Sequence, residues 1–272
     1  MKKSHFLVLL FSLFLLLNCS KDSNGSDATE ETIQVNKSAN LKSAGDSAND
    51  ILSNDNFNKL LLEIGYVTGF KPTTSAMSDL IEYLQERTFK QNIEIQYLEL
   101  DSPEKENVSL KEIADLETKN RTAYNSDSTL AIYIYFSDAP SDEDDPEEDL
   151  VTLGAVYRNT SMVIYESTIR NLASKSILIS TGTVETATLN HEFGHLFGLV
   201  NIGSDMVNPH EGVTTNDAGT EIGNQHCDQE VCLMRAELEF SSAMGKMLVA
   251  KNGQVPDLDA ECLLDLKANG GR

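Results

Sequence analysis

Residues 190–201 read NHEFGHLFGLVN, and within them His191, Glu192 and His195 have types and a spacing that suit one main kind of chemistry. On a helix, positions four apart project from one face a turn apart, so two imidazoles can grip a single ion with a carboxylate beside them. Zinc suits such a pair. In catalytic sites it takes three protein ligands and a water, and it lowers the pKa of that water to about 7. Glu192 is the residue placed to take the proton. The segment lacks a third imidazole, and Asn201 offers only a neutral carboxamide oxygen, a poor donor to zinc. His210, within residues 206–211 (MVNPHE), is one candidate for the missing ligand. From above the metal it could instead hydrogen-bond an oxyanion or a leaving amine.

Past His195 the string resembles the metzincins, whose HExxHxxGxxH carries a glycine three residues after the second histidine. Gly198 fits that glycine, at which a helix can end in the left-handed conformation. Residues 226–234, HCDQEVCLM, have the form HCx4CxM, which is similar to the stretch that in archaemetzincins begins with the third zinc histidine. The resemblance makes His226 the third ligand, with His210 the alternative. His226 follows Gly198 by 28 positions, so an inserted loop of 25 residues is implied. Closure entropy grows only logarithmically with loop length, so such an insertion costs little. The resemblance also makes Met234 a hydrophobic floor beneath the ligands.

Archaemetzincins add a four-thiolate structural zinc. Here the corresponding residues are Cys227, Cys232 and Cys262, with Asp259 in the place of the fourth thiol. In an exported chain oxidation competes, so the expectation is a Cys227–Cys232 disulfide with Cys262 free; a second, structural zinc is the other option.

Strands are expected at 59–70, 93–98, 129–136, 153–157 and 161–165, and helices at 74–89, 109–120, 183–200 and 258–267. Interleaved strands and helices give an α/β (α+β) domain on a mixed twisted sheet, with an active-site helix and a C-terminal helix. The resemblance makes this a metzincin-like zincin domain, with residues 161–165 as the edge strand along which substrate lies.

The first residues carry an address. Lys2 and Lys3 precede an apolar run over 6–17, too short to span a bilayer but suited to a secretion signal. Leu16-Leu17-Asn18-Cys19 resembles a bacterial lipobox with Cys19 as the lipidated residue, and Ser20-Lys21-Asp22 resembles a surface-export signal of Bacteroidetes lipoproteins. The expected organisation is a lipoprotein signal peptide over 1–18, a flexible tether over 19–55 and a zinc metallopeptidase domain over 56–272. The chain is expected to be exported, anchored in the bacterial outer membrane through lipid only, and exposed at the cell surface. A formal charge of -22 repels nucleic-acid phosphates, which excludes nucleic acid as a partner. The acidic run over 142–149 lacks the spacing of a calcium loop and reads as solvated.

The function expected is hydrolysis of peptide or protein substrates by a monomer, with one catalytic zinc and Glu192 as general base. Two alternatives remain: a zinc-containing surface protein that binds without cleaving, and a zinc hydrolase of a non-protein substrate.

Overall fold

The computed structural model describes residues 36–216 and 218–272. The expected signal peptide and the lipidation site Cys19 lie outside them. Of the tether expected over 19–55, residues 36–55 are among those described, and they are packed on the domain, not free of it. A 3-10 turn (Lys37–Asn40) buries Asn40, whose amide donates to Asn125 Oδ1 at 2.8 Å and to the Ala131 carbonyl at 3.0 Å. Helix α1 (Ala48–Leu52) sinks Ile51 and Leu52 into the core. Composition hid this segment because hydrogen-bonded Asn40 and Ser47 do part of the burying.

Strand β1 (Lys59–Val67), helix α2 (Thr74–Arg87), strand β2 (Asn92–Leu100), helix α3 (Leu110–Asn120) and strand β3 (Thr129–Phe136) follow in alternation. Each helix returns the chain to the start of a strand parallel to the last, so β1 pairs parallel with β2 on one side and β3 on the other. Strands β4 (Gly154–Arg158) and β5 (Ser161–Ile164) complete a sheet of order β2-β1-β3-β5-β4, in which only β4 is antiparallel to its neighbour. The edge expected at 161–165 is therefore corrected. β5 lies inside the sheet and is buried throughout, whereas β4 has the half-exposed pattern of a strand with one free side.

β3 is apolar along almost its whole length because both faces are covered. Leu130, Ile132 and Ile134 join Leu60, Leu62 and Ile64 of β1 against α2, while Tyr133 and Tyr135 meet Ile113 of α3 on the other face.

Helices α4 (Glu166–Ser174) and α5 (Thr181–Leu196) come next, and α5 lies on the same face as α2. From residue 184 to its end α5 is wholly buried, so over that stretch it has no solvent stripe. A hairpin of β6 (Glu211–Thr215) and β7 (Glu221–Cys227) fills the expected loop. A second 3-10 turn (Ala236–Glu239) and helices α6 (Ser241–Ala250) and α7 (Ala260–Ala268) close the chain. Among the described residues no helix is long and apolar enough to cross a membrane.

Candidate metal centre

Helix α5 begins where the Ser180 side chain accepts from the Thr183 amide at 3.1 Å and ends at Leu196, four residues before the expected 200. Gly198 has φ 74° and its amide donates to the His195 carbonyl at 3.1 Å, a left-handed exit that a side chain would strain. Val200 (φ 55°) and Asn201 (φ 63°) continue the turn, and such angles at a β-branched residue are rare outside enforced geometry. The Asn201 side chain donates to Glu211 Oε2 at 2.6 Å, which occupies it away from the imidazoles. Glu211 Oε1 accepts from the Gln225 amide at 2.7 Å, so one carboxylate ties the helix exit to the residue before His226.

His191, His195 and His226 are buried, and their ring centroids stand 4.9, 5.5 and 4.9 Å apart. His191 Nδ1 bonds the Leu233 carbonyl at 2.8 Å and His226 Nδ1 the Asn224 carbonyl at 2.7 Å. A carbonyl can only accept, so both rings carry their proton on Nδ1 and turn a bare Nε2 inward. His191 Nε2 and His195 Nε2 lie 3.2 Å apart. Two nitrogens bound at roughly 2.0–2.1 Å to a tetrahedral ion are separated by about 3.3–3.4 Å, so the spacing fits one ion held in common. Glu239, a residue the sequence did not single out, joins them. Its Oε1 is 3.1 Å from His226 Nε2 and 3.7 Å from His195 Nε2, and all four donor atoms lie within 4.8 Å of one another.

Burial, then the neighbouring His195, lowers the His191 pKa to about 3, and burial lowers that of His195. Burial also acts to lower His226, but the Glu239 carboxylate outweighs it and raises the ring. Neutral imidazole is the form a metal requires. Glu192 is buried and raised well above the usual carboxyl range, first by burial and then by the Glu239 charge. It lies against β4, where Gly154 leaves the space: a Cβ there would stand 3.0 Å from Glu192 Oε1. Met234 packs against Gly194 of α5 so closely that a Cβ at 194 would collide with its sulfur. A cavity of about 410 Å³ opens on the solvent side of His195, His226 and Glu239, walled by Val156 of β4 and by Ser43 and Asp46.

A second cluster starts one residue after His226. Cys227, Cys232, Cys262 and Asp259 bring their donor atoms within 4.8 Å of one another. The Cys227–Cys232 disulfide expected from sequence is not formed; all three thiols are free. Cys232 Sγ faces Cys262 Sγ at 3.5 Å, and Cys227 Sγ donates to Asp259 Oδ2 at 3.3 Å. Asp259 caps α7 by accepting the Cys262 amide at 2.8 Å, which holds the carboxylate among the thiols. Hydrogen bonds from Cys227 and Cys262 hold the Cys232 thiol well below its ordinary range, the state in which sulfur ligates. His210 sits here and not among the three imidazoles: its Nε2 is 3.6 Å from Cys262 Sγ and 3.5 Å from Asp265 Oδ2.

No protein-family model matches the chain, and no curated protein matches it. A solved structure does. It is archaemetzincin from Methanopyrus kandleri, to which the chain is 17% identical, with 79% of this chain and 96% of that chain covered at a TM-score of 0.43.

The structure thus gathers His191, His195 and His226 around one point, with Glu192 on the same helix and Met234 packed against Gly194 of that helix. It leaves Asn201 and His210 elsewhere. Glu239 carried no sequence signal, because it stands 13 residues past His226 in no ligand spacing with the histidines.

Proposed function

We propose that the chain is a zinc-dependent peptidase. The observation that carries this reading is the convergence of three Nε2 atoms, two of them fixed as acceptors by backbone carbonyls, next to a buried glutamate on the same helix. The HExxHxxG and HCx4CxM strings support it from the sequence side.

His191, His195 and His226 would hold the ion. When bound, zinc supplies an acidified water and a Lewis acid for a carbonyl oxygen. Glu192 takes the proton at its carboxylate and returns it to the departing nitrogen, a role for which burial against Gly154 suits it. The free side of β4 borders the same cavity through Val156, so an extended peptide pairing with β4 would bring its carbonyl to the centre. Cys227, Cys232, Cys262 and Asp259 would hold a second, structural zinc that fixes the chain on either side of Met234. Lipidation at Cys19 would place a monomeric domain at the outer membrane, exported and facing the cell surface, with peptides or proteins as its substrates.

Glu192→Gln is the test. The variant is expected to keep its zinc and to lose hydrolysis of a mixed peptide library by about 100-fold or more. Retained hydrolysis would refute the mechanism. A second reading, a zinc-bearing binding protein without turnover, draws on Glu239: four protein donors are usual in structural sites, whereas catalytic ones keep a position open.

A further inference from the structure

We propose that Glu239 is a fourth, displaceable metal donor that closes the centre at rest and must leave it before substrate is bound. This rests on the reading of the histidine cluster as a metal centre and explains how four donors are compatible with catalysis.

The first observation is one of hydrogen-bond chemistry. His226 Nδ1 is committed to the Asn224 carbonyl, so a neutral His226 presents Nε2 as a lone pair, and 3.1 Å away stands Glu239 Oε1, which is also an acceptor. His195 Nε2 stands 3.7 Å from the same oxygen and 3.2 Å from His191 Nε2. Acceptors brought this close need a proton or a metal ion between them, and one metal ion serves all four at once. At 3.1 and 3.7 Å from two of the nitrogens the oxygen lies on either side of the tetrahedral spacing, and all four donor atoms fall within 4.8 Å of one another, so the criterion that gathers the histidines includes Glu239.

The second observation concerns mobility. His191 and His195 stand on a buried helix and His226 at the end of β7, and their side chains are 9% exposed or less. Glu239 ends a four-residue 3-10 turn that has no side-chain cap, and its side chain is 28% exposed on the cavity wall. Of the four donors it is the one that can swing away without unfolding an element.

The third observation couples that swing to substrate. The Glu239 carbonyl accepts from the Leu153 amide at 2.9 Å, and the Ser241 amide donates to the Val151 carbonyl at 2.8 Å. Residues 151–153 lead into β4, the strand with the free edge. A peptide laid along β4 therefore meets the backbone that positions Glu239, and its carbonyl competes for the place the carboxylate holds.

The experiment uses the full chain depleted of zinc and loaded with Co(II), comparing wild type with Glu239→Gln and Glu239→Ala. The glutamine variant keeps the shape of the side chain and guards against a folding defect in the alanine variant. Both are expected to change the visible cobalt spectrum, to weaken cobalt binding about tenfold or more, and to bind acetohydroxamate about tenfold more tightly. Unchanged spectrum, metal affinity and hydroxamate affinity in both variants would overturn the proposal and leave Glu239 a hydrogen-bond partner of His226. A chain that shows these shifts yet cleaves no peptide in any form would sink the peptidase reading alone.

Discussion

At the scale of single residues, the centre depends on side chains that are absent as much as on those present. Gly154 has no Cβ where one would lie 2.9 Å from Thr188 Cγ2 and 3.0 Å from both Cγ and Oε1 of Glu192. Thr188 and Glu192 are on a buried helix that cannot retreat, so the carboxylate has to move. A displacement near 1 Å at a reacting group costs about 100-fold in rate. Gly154→Ala is accordingly expected to lower kcat about 100-fold at unchanged zinc content and with Tm lowered by no more than a few degrees. Metal analysis beside steady-state kinetics on a fluorogenic peptide decides it, and wild-type kcat would show that Glu192 is not confined by β4.

At the scale of elements, the third imidazole is delivered by the β6–β7 hairpin, and Glu211 at its base is the fastener. It accepts from Asn201 on the helix exit and from Gln225 on β7, and so fixes two segments whose spacing sets the centre. Glu211→Ala removes both bonds and should weaken zinc at the histidines about 10- to 100-fold, as loss of groups that orient ligands does elsewhere. Competition against a chelator measures it; an unchanged affinity would mean that His226 is held by Asn224 and the Cys227–Met234 backbone bond alone. This hairpin also marks where the sequence stops being legible. The strand at 129–136 is readable as an unbroken apolar run and the helix starting at 74 as an apolar stripe, both of them local signals. The hairpin was missed because its residues are exposed and carry no alternation, and α4 because Glu166 and Thr168 interrupt its buried stripe. The two helical histidines and Glu192 were legible for the same reason as the helix, being one turn apart. Glu239 and the free thiols were not, since only tertiary contact joins Glu239 to His226 or Cys232 to Cys262.

At the scale of the whole molecule, a buried carboxyl pair knits three helices on the core face of the sheet. Glu185 of α5 accepts from the Thr73 amide, at the cap of α2, through both oxygens at 3.1 and 3.0 Å. Glu166 of α4 accepts from Arg170 Nε at 2.6 Å, its other oxygen has no partner among the described residues, and Arg170 reaches on to the Gly69 carbonyl at 2.7 Å. Burial, then the charge of Glu185, pushes the Glu166 pKa up to about 8, and burial raises Glu185 as well. Between the ordinary carboxyl range and about 8 the folded chain holds a proton that the unfolded chain has lost, so stability falls as pH rises. The contribution is complete below about pH 4.5 and gone above the folded value. With a formal charge of -22, self-repulsion adds its own loss at high pH, but that term is common to wild type and variant. Glu166→Gln imitates the protonated form permanently. The difference in stability between the two proteins should therefore move in favour of the variant by roughly 2–4 kcal/mol from pH 5 to pH 9, a shift of several degrees in relative Tm. Thermal melts of both at saturating zinc measure it directly, and parallel pH profiles would show that the two glutamates keep no shared proton and that α2, α4 and α5 are held together by packing alone.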